Sequence, residues 1–368
     1  MGSIRFEDVT KRFGHVVAID RLTLDIEDGE LMVLLGPSGC GKTTALQMIA
    51  GVEAVTEGQL FIGDSVVNDI EPAQRDVSTV LQGDALSPHM NVELNIDAPL
   101  RTRTYQIEEG HPPRSLTSAE RSDRVLEVAH VLGLEQLLER KPADLSGDQR
   151  QRVSLARAFV HRPRAFLMDE PLSMLDAKLR AQTRAQLVEL HKRVDTTIVY
   201  VTHDQIEAVT VANRVAILRD GRLQQLGTPK QIYDAPANLF VAQFIGTPPM
   251  NILRGRFTSG SGAPVVEAGD SQVPVPSGLM TRLEEGQPVA VGLRPEHLRP
   301  SRDGAISMDF KAAEWLGHEC LVRGEIERQP VVLRLVGMRP QDAQSAVRLA
   351  VDPASVHLFD PESSERLE

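Results

Sequence analysis

The chain has 368 residues, 41% of them hydrophobic, and a formal net charge of −11, a length that predicts two domains and a composition that can bury a core in each. The acidic balance argues against binding nucleic acid through the overall field, and two distant cysteines, Cys40 and Cys320, form neither a disulfide framework nor a metal knuckle, as in a reducing compartment. The N-terminal stretch Met1 to Phe6 begins no apolar signal region, and no apolar run reaches the roughly 18 residues of a membrane span, so a chain that is neither secreted nor membrane-spanning is expected.

Residues 4–35 read as strands: Ile4 to Val9 alternates, and Val16 to Ile19 and Leu22 to Ile26 repeat the pattern after a Phe13-Gly14 turn. Leu31 to Leu35 is a continuous apolar run bounded by Gly36 and Pro37, the pattern of a strand buried on both faces. A helix is predicted from Gly41 to about Ala50, ended by Gly51. Residues 86–160 read as helical, with apolar spacing through Val125, Leu126, Val128, Ala129, Val131 and Leu132 and a stop at Gly133. Within them the polar, Pro-containing stretch 102–118 reads as a surface loop. Strand runs return at Ala165 to Met168, Thr197 to Val201 and Val215 to Leu218, alternating with helical stretches, which predicts a doubly wound α/β sheet. After about residue 240, short alternating runs at Val273 to Val275, Val289 to Val291 and Val331 to Leu333 predict a small all-β domain, a barrel, entered through a hinge at Gly246 to Pro249. The expected domains are therefore 1–240, with a helical part at about 86–160, and 241–368.

Gly36-Pro37-Ser38-Gly39-Cys40-Gly41-Lys42-Thr43 fits G-x-x-x-x-G-K-[ST] and is followed by Thr44. Glycines let the backbone wrap closely so that N–H groups face phosphate oxygens, and a helix starting at Gly41 aims its positive end at the same anion. Lys42 adds a full charge at the β and γ phosphates, and Thr43 offers a hydroxyl to Mg²⁺. Cys40, at a helix N-terminus, is either a reactive thiol or a small filler.

Arg164-Ala165-Phe166-Leu167-Met168-Asp169-Glu170-Pro171 is an apolar strand ending in two carboxylates. Asp169 at the strand end can hold Mg²⁺ through its hydration shell, and Glu170 would sit beside a γ-phosphate to polarise an attacking water.

Between these motifs lies Leu145-Ser146-Gly147-Asp148-Gln149, which resembles the signature of ABC ATPases, Leu-Ser-Gly-Gly-Gln. Ser173-Met174-Leu175-Asp176 resembles the D-loop, Val201-Thr202-His203-Asp204 the switch histidine, and Gln82 the Q-loop, while Phe13 stands where the family places an adenine-stacking aromatic. Further on, Gly292 to His297, Glu314 to Gly317 and Val356 to Asp360, with Asp234 to Asn238 and Phe244 to Gly246 before them, resemble the C-terminal barrel of maltose- and trehalose-type importer ATPases. The resemblance implies an α/β P-loop NTPase cassette with a helical subdomain, followed by a small all-β OB-like (TOBE-type) domain. It implies a transport-coupled ATPase that binds ATP and Mg²⁺ between two copies packed head to tail. Lys42, Glu170 and His203 would be catalytic; Thr43, Gln82 and Asp169 would hold the metal. The phosphate loop 36–44 with Phe13 and Gln82 would bind nucleotide on one copy, and Ser146, Gly147, Asp148 and Gln149 would reach it from the other. Implied partners are two membrane-spanning permease subunits and, indirectly, an external solute-binding protein. The implied location is the cytoplasmic face of the bacterial inner membrane, and the implied solute a sugar or related small molecule.

Asp148 departs from the family pattern, standing where a glycine is usual. Its carboxylate either adds like charge beside the phosphates or turns outward to Arg150 or Arg152. Gly83, Asp84 and Ser87 replace usual aromatics near Gln82, and Met174 replaces a usual Asn. Two other functions compete: a cassette with weak or lost turnover that regulates, for which Asp148 speaks and against which Glu170 and His203 speak, and a soluble non-transport ABC ATPase. Chains of the latter kind usually carry two cassettes or a long coiled-coil insertion, absent here.

Overall fold

The computed structural model describes residues 2–80, 86–101, 104–105, 114–161, 163–173, 175–194, 196–259, 263–279, 282–337 and 346–367. The chain forms two compact units, Met1–Pro229 and Lys230–Glu368.

The elements of the first unit are β1 (Ile4–Phe13), β2 (Val16–Ile26), β3 (Leu31–Leu35), α1 (Lys42–Ala50), β4 (Glu57–Ile62), β5 (Ser65–Val66), β6 (Val77–Val80), α2 (Val92–Arg101), α3 (Ser118–Val131), α4 (Gly147–Phe159), β7 (Ala165–Asp169), α5 (Ala177–Val194), β8 (Thr197–Thr202), α6 (Gln205–Val211), β9 (Arg214–Arg219) and β10 (Arg222–Gly227). Four antiparallel strands pair in the order β2-β1-β4-β5, and a six-stranded sheet runs β10-β9-β3-β8-β7-β6. In the larger sheet β9, β3, β8, β7 and β6 are parallel, and only the edge strand β10 runs against its neighbour. All five residues of β3 are buried because the strand lies between β8 and β9 with both faces covered, which is why it reads as an unbroken apolar run. Leu34 of β3, Leu46 and Ile49 of α1, Phe6 and Leu24 of the smaller sheet and Leu167 and Val199 of the larger one share one core. Burying each such side chain is worth about 1.5–3 kcal/mol. That core holds the β3–α1 turn rigidly.

Helix α1 ends as its sequence predicts: Gly51 adopts φ 79 and its N–H caps the carbonyls of Gln47 and Met48. In the helical part, α2, α3 and α4 pack on one another. Asp97 of α2 accepts from Arg101 at 2.5 Å and from Arg121 of α3 at 3.0 Å. Thr117 and Glu120 form a capping box at the start of α3, and Arg114 grips Glu120 from outside; the Arg114 and Thr117 hydrogen bonds hold that carboxyl down at about 2. Most of the stretch 102–118 lies outside the described residues, which there show a single bridge between Tyr105 and Arg114.

The second unit opens on two short helices, α7 (Pro229–Asp234) and α8 (Leu239–Phe244). Its strands are β11 (Asn251–Thr258), β12 (Val265–Ala268), β13 (Ser271–Pro274), β14 (Pro288–Leu293), β15 (Arg299–Pro300), β16 (Ile306–Trp315), β17 (Glu319–Ile326), β18 (Gln329–Val336), β19 (Ala346–Ala350) and β20 (Val356–Phe359). They form two five-stranded, wholly antiparallel sheets, β13-β12-β11-β14-β20 and β15-β19-β16-β17-β18. Inward residues of both sheets, among them Leu253, Phe257, Val291, Met308, Val322 and Leu333, close one core, the all-β domain that the alternating runs predict. Arg294, 1% exposed, donates to the carbonyls of Ile245 and Tyr233 at 2.5 and 2.6 Å and stacks 3.8 Å over the Tyr233 ring. Trp315, at the tip of the β16–β17 hairpin, is exposed, as are Leu316 and Val336.

Candidate functional site

The parallel strands β3, β8 and β7 are neighbours, and their C-terminal ends carry the phosphate loop, His203 and the Asp169-Glu170 pair. In an open parallel sheet ligands bind at such strand ends. The loop after β3 turns tightly because glycine stands where nothing else fits. A Cβ on Gly36 would lie 2.2 Å from the Leu218 carbonyl oxygen and 2.6 Å from Cys40 Sγ. Gly41 has φ 102, and a Cβ there would meet the Ala18 oxygen at 2.5 Å. Pro37, Ser38 and Gly39 are exposed at the mouth, and Thr43 and Thr44 occupy the first turn of α1, whose leading amides have no partner inside the helix.

The Lys42 ammonium is buried and folds back to donate to the carbonyls of Gly36 and Pro37, each at 2.8 Å. It is held in the loop rather than in solvent. Cys40 is also buried, 3.7 Å from Lys42 Nζ; burial pushes its thiol up, against the lowering effect of Lys42, so the thiol form prevails and the filler reading of Cys40 is the one its surroundings favour.

Thr43 Oγ1 donates to Asp169 Oδ1 at 3.2 Å. Burial, reinforced by the neighbouring Glu170 charge, raises the Asp169 carboxyl above the usual range, and the Thr43 hydrogen bond opposes this. A half-buried carboxylate and a hydroxyl side by side at a phosphate loop fit a hard divalent cation with oxygen ligands. Gln82, expected as a further ligand, lies outside the described residues, as do Gly83, Asp84 and Met174.

Glu170 is held in the left-handed region, φ 46, by its N–H to the Val201 carbonyl at 2.9 Å and by Ser173, whose N–H and hydroxyl both donate to the Glu170 carbonyl. A non-glycine residue there is strained, and such strain gathers at functional sites. The constraint aims the carboxylate at His203, whose Nδ1 lies 2.7 Å from Glu170 Oε1. A carboxylate oxygen accepts, so Nδ1 is the donor of this pair and Nε2 is left clear of it.

Phe13 ends β1 half-exposed at 46%, with Lys11 Nζ 4.7 Å from its ring centroid and exposed Val16 and Val17 across the turn. This is an open apolar platform of the kind a flat base can stack on.

Ser146 caps α4. Its hydroxyl accepts from the Gln149 N–H, and Gln149 Oε1 accepts from the Ser146 N–H at 3.0 Å, a capping box that fixes Gly147 at the first helical position. Asp148 takes the Ser146 hydroxyl proton on one oxygen and faces Arg152 at 3.6 Å with the other, while Arg150 turns to the Leu145 carbonyl. Ser146 above all holds the Asp148 carboxyl below its usual range. Among the described residues no hydrogen bond or ion pair joins Ser146 to Gln149 with the phosphate loop of the same chain. Gln151 of α4 donates to the Pro171 carbonyl, just beyond Glu170. Sequence motifs miss Tyr200, Glu207 and Arg180 behind His203: Tyr200 and the motif residue Thr202 donate to the buried Glu207, and Arg180 sits beside Asp204. They are scattered over α5, β8 and α6, and no spacing signals them.

A family model described as "ABC transporter" matches residues 19–173, one described as "MalK OB fold domain" residues 246–298, and one described as "TOBE domain" residues 291–359. The chain is 43% identical over 374 residues to the sn-glycerol-3-phosphate import ATP-binding protein of Ralstonia nicotianae, with 100% of this chain and 99% of that protein covered. It is 40% identical over 379 residues to the oligosaccharides import ATP-binding protein of Bacillus subtilis, with both chains covered in full, 100% each. Among solved structures, the dimeric post-hydrolysis state of the ATP-binding cassette MJ0796 bound to ADP and Pi is 30% identical, with a TM-score of 0.52, covering 61% of this chain and 98% of that one.

Proposed function

This chain belongs to the ABC transporter family, among its import ATP-binding subunits, and from that premise we propose that it closes as a head-to-tail homodimer over two ATP molecules and, by hydrolysing them, drives two membrane-spanning permease subunits. The observation that carries the reading is the 2.7 Å pairing of His203 with Glu170 next to the 3.2 Å pairing of Thr43 with Asp169, at the ends of adjacent parallel strands. Phe13 stacks the base. The 36–44 loop cradles the phosphates with its amides, and the Lys42 ammonium balances their charge. Thr43 and Asp169, with Gln82, would hold Mg²⁺, which when bound neutralises and orients the phosphates. Glu170 polarises the attacking water, and His203 keeps that carboxylate in place while offering Nε2 toward the γ-phosphate. Gly147 and the capped start of α4 approach the same phosphate from the second copy, where helix amides and dipole favour an anion.

The names of the relatives favour a polar, glycerol- or sugar-type solute, taken in through an external binding protein, with this chain held at the cytoplasmic face of a bacterial inner membrane by its permease. No helix among the described residues is long and apolar enough to cross a membrane. Steady-state Mg-ATP hydrolysis by the purified chain tests the reading. Glu170→Gln is expected to lower kcat about a hundredfold or more, as loss of a general base does. Turnover that survives this change intact would remove Glu170 from the chemistry and the proposal with it. A second reading, a cassette with intrinsically weak turnover, is favoured by one observation: Asp148 occupies the Ser146 hydroxyl.

A further inference from the structure

Arg180 stands in the first turn of α5, yet its guanidinium joins two segments that border the hydrolytic pair, the stretch before α5 and the start of α6. Nη2 donates to the Leu175 carbonyl at 3.0 Å, Nη1 donates to Asp204 Oδ2 at 3.3 Å, and Nε lies 3.9 Å from Glu207 Oε1. Glu207 is 3% exposed and takes the hydroxyl protons of Tyr200 at 2.8 Å and Thr202 at 2.9 Å. The Asp204 N–H in turn donates to Thr202 Oγ1 at 2.9 Å. Both neighbours of His203 are thus tied to carboxylates facing Arg180: Asp204 directly, Thr202 through Glu207. The other arm reaches into the segment after Glu170. Leu175 stands two residues after Ser173, which donates twice to the Glu170 carbonyl, and precedes Asp176, whose side chain accepts from the Leu179 N–H at 3.0 Å to start α5.

We infer that Arg180 is a positioning residue that locks Leu175 to the 202–204 segment and so sets the approach of His203 to Glu170. The inference rests on the reading of Glu170 and His203 as the hydrolytic pair. A planar guanidinium can address one carbonyl and two carboxylates at once from a fixed plane; a lysine ammonium on a flexible stem cannot span the three. The geometry gives the loop after Glu170 a mechanical line to the histidine that does not pass through the nucleotide. A displacement of Leu175 pulls on Arg180, and Arg180 holds the residue next to His203. Besides the direct hydrogen bond and the backbone tie of the Glu170 N–H to the Val201 carbonyl, this indirect route joins Glu170 to His203, and removing it loosens the frame of the direct bond.

The test uses the full chain with Arg180→Met, Arg180→Lys and Asp204→Asn, reading kcat and KM for Mg-ATP, the thermal midpoint, and the ¹⁵N signals of the His203 ring, assigned by their loss in His203→Gln. The expected result is a kcat about 10–100-fold lower in Arg180→Met and Arg180→Lys, the scale of a catalytic group misplaced by about 1 Å, with KM within about twofold of the original. The His203 signals should move from a ring protonated at Nδ1 toward a mixture of tautomers. Asp204→Asn keeps an acceptor but loses the charge, so it should show the same split at smaller size, and it stands in if Arg180→Met does not fold. Unchanged kcat in a folded variant overturns the inference. So does a fall in kcat with His203 signals identical to the unaltered protein, because Arg180 would then act on stability or on another group. If the unaltered chain itself shows no Glu170-dependent hydrolysis, the reading of the site fails first, and this inference falls with it.

Discussion

The Ser146 hydroxyl donates a hydrogen bond to Asp148, two residues further along the same helical turn, and Asp148 faces Arg152 one turn below at 3.6 Å. The donor that a phosphate from a second copy would meet is therefore engaged within its own chain, and the residue engaging it brings a negative charge. At about 4 Å and an effective dielectric of about 20, a like-charge contact costs about 4 kcal/mol before screening. Asp148→Gly in a Glu170→Gln background is expected to dimerise at an ATP concentration at least about tenfold lower, measured by sedimentation velocity. The same change should cost the nucleotide-free chain about 1 kcal/mol, because an acidic residue leaves the first turn of α4 and a glycine enters it. The opposite signs are the diagnostic. Dimerisation that does not move would mean that Asp148 swings clear of the partner phosphate, and the weak-turnover reading would be lost.

Two glycines of the phosphate loop should respond very differently to alanine. A Cβ on Gly36 would strike the Leu218 backbone oxygen at 2.2 Å, whereas Gly39, at φ 78, has nothing within 4 Å of its would-be Cβ. Gly36→Ala is expected to unfold or severely loosen the first unit, costing more than about 3 kcal/mol as overpacking against backbone does. Gly39→Ala pays only the left-handed conformation, about 1–2 kcal/mol. Thermal melts of the two variants side by side decide; equal losses would contradict the geometry.

Asp169 has a raised carboxyl, chiefly from burial and secondly from Glu170. The folded chain therefore holds this proton to higher pH than the unfolded chain does. Its contribution to stability is fully present below the usual carboxylate range and is lost as pH rises through the raised value, so at neutral pH the ionised group is a standing cost. Asp169→Asn should raise the nucleotide-free melting temperature at neutral pH by about 2 °C and leave it nearly unchanged in acid. It should also abolish the extra stabilisation that Mg-ATP gives over ATP with a chelator. A variant that melts lower at neutral pH would show that the Thr43 hydrogen bond outweighs the burial.

Phe13 offers a half-exposed ring with Lys11 beside it. Removing an aromatic stack costs about 0.5–1.5 kcal/mol, so Phe13→Ala should weaken ATP binding roughly threefold to tenfold while Phe13→Trp keeps it. Because the contact is made equally before and during reaction, kcat at saturating ATP should hold. A fall in kcat alone would place the ring elsewhere in the cycle.

In the second unit Arg294 is the largest fully buried side chain among the described residues, and it serves the buried Ile245 carbonyl and the part-buried Tyr233 carbonyl at once. Arg294→Met should destabilise that unit by about 3 kcal/mol or more, the cost of breaking a buried charged network from one side. ATP affinity of the cassette gives the control reading and should not change.

The parts of this fold legible in the sequence are those where one physical demand dominates. Leu31 to Leu35 is readable because two covered faces require five apolar residues in a row, and Gly36 and Gly41 because the loop has no room for a side chain. Strands β4 and β10 give little signal: Glu57–Ile62 buries only its second half and Arg222–Gly227 is a half-buried edge, so neither alternates cleanly. In β1 the irregular register with β2 after Phe6 breaks the two-residue period that its first residues show. For Asp148 the sequence leaves two placements open, and the structure supplies a partner the sequence does not suggest, Ser146, along with Arg152. Arg180 is invisible for a different reason: its partners lie 5, 24 and 27 residues away, in the loop before α5 and at the start of α6, and only the tertiary fold brings them to one guanidinium.

The chain contains one tryptophan, Trp315, and it stands exposed on a hairpin of the second unit. Indole fluorescence is therefore a private reporter of that unit, while far-ultraviolet circular dichroism is weighted toward the first, which holds every helix longer than six residues among those described. Following one thermal melt with both signals separates the two halves without cutting the chain or adding a label. Coincident curves would mean that the units unfold as a single cooperative body; an emission change at its own temperature would show that the barrel keeps its own stability, and that a variant such as Arg294→Met can be scored by colour alone.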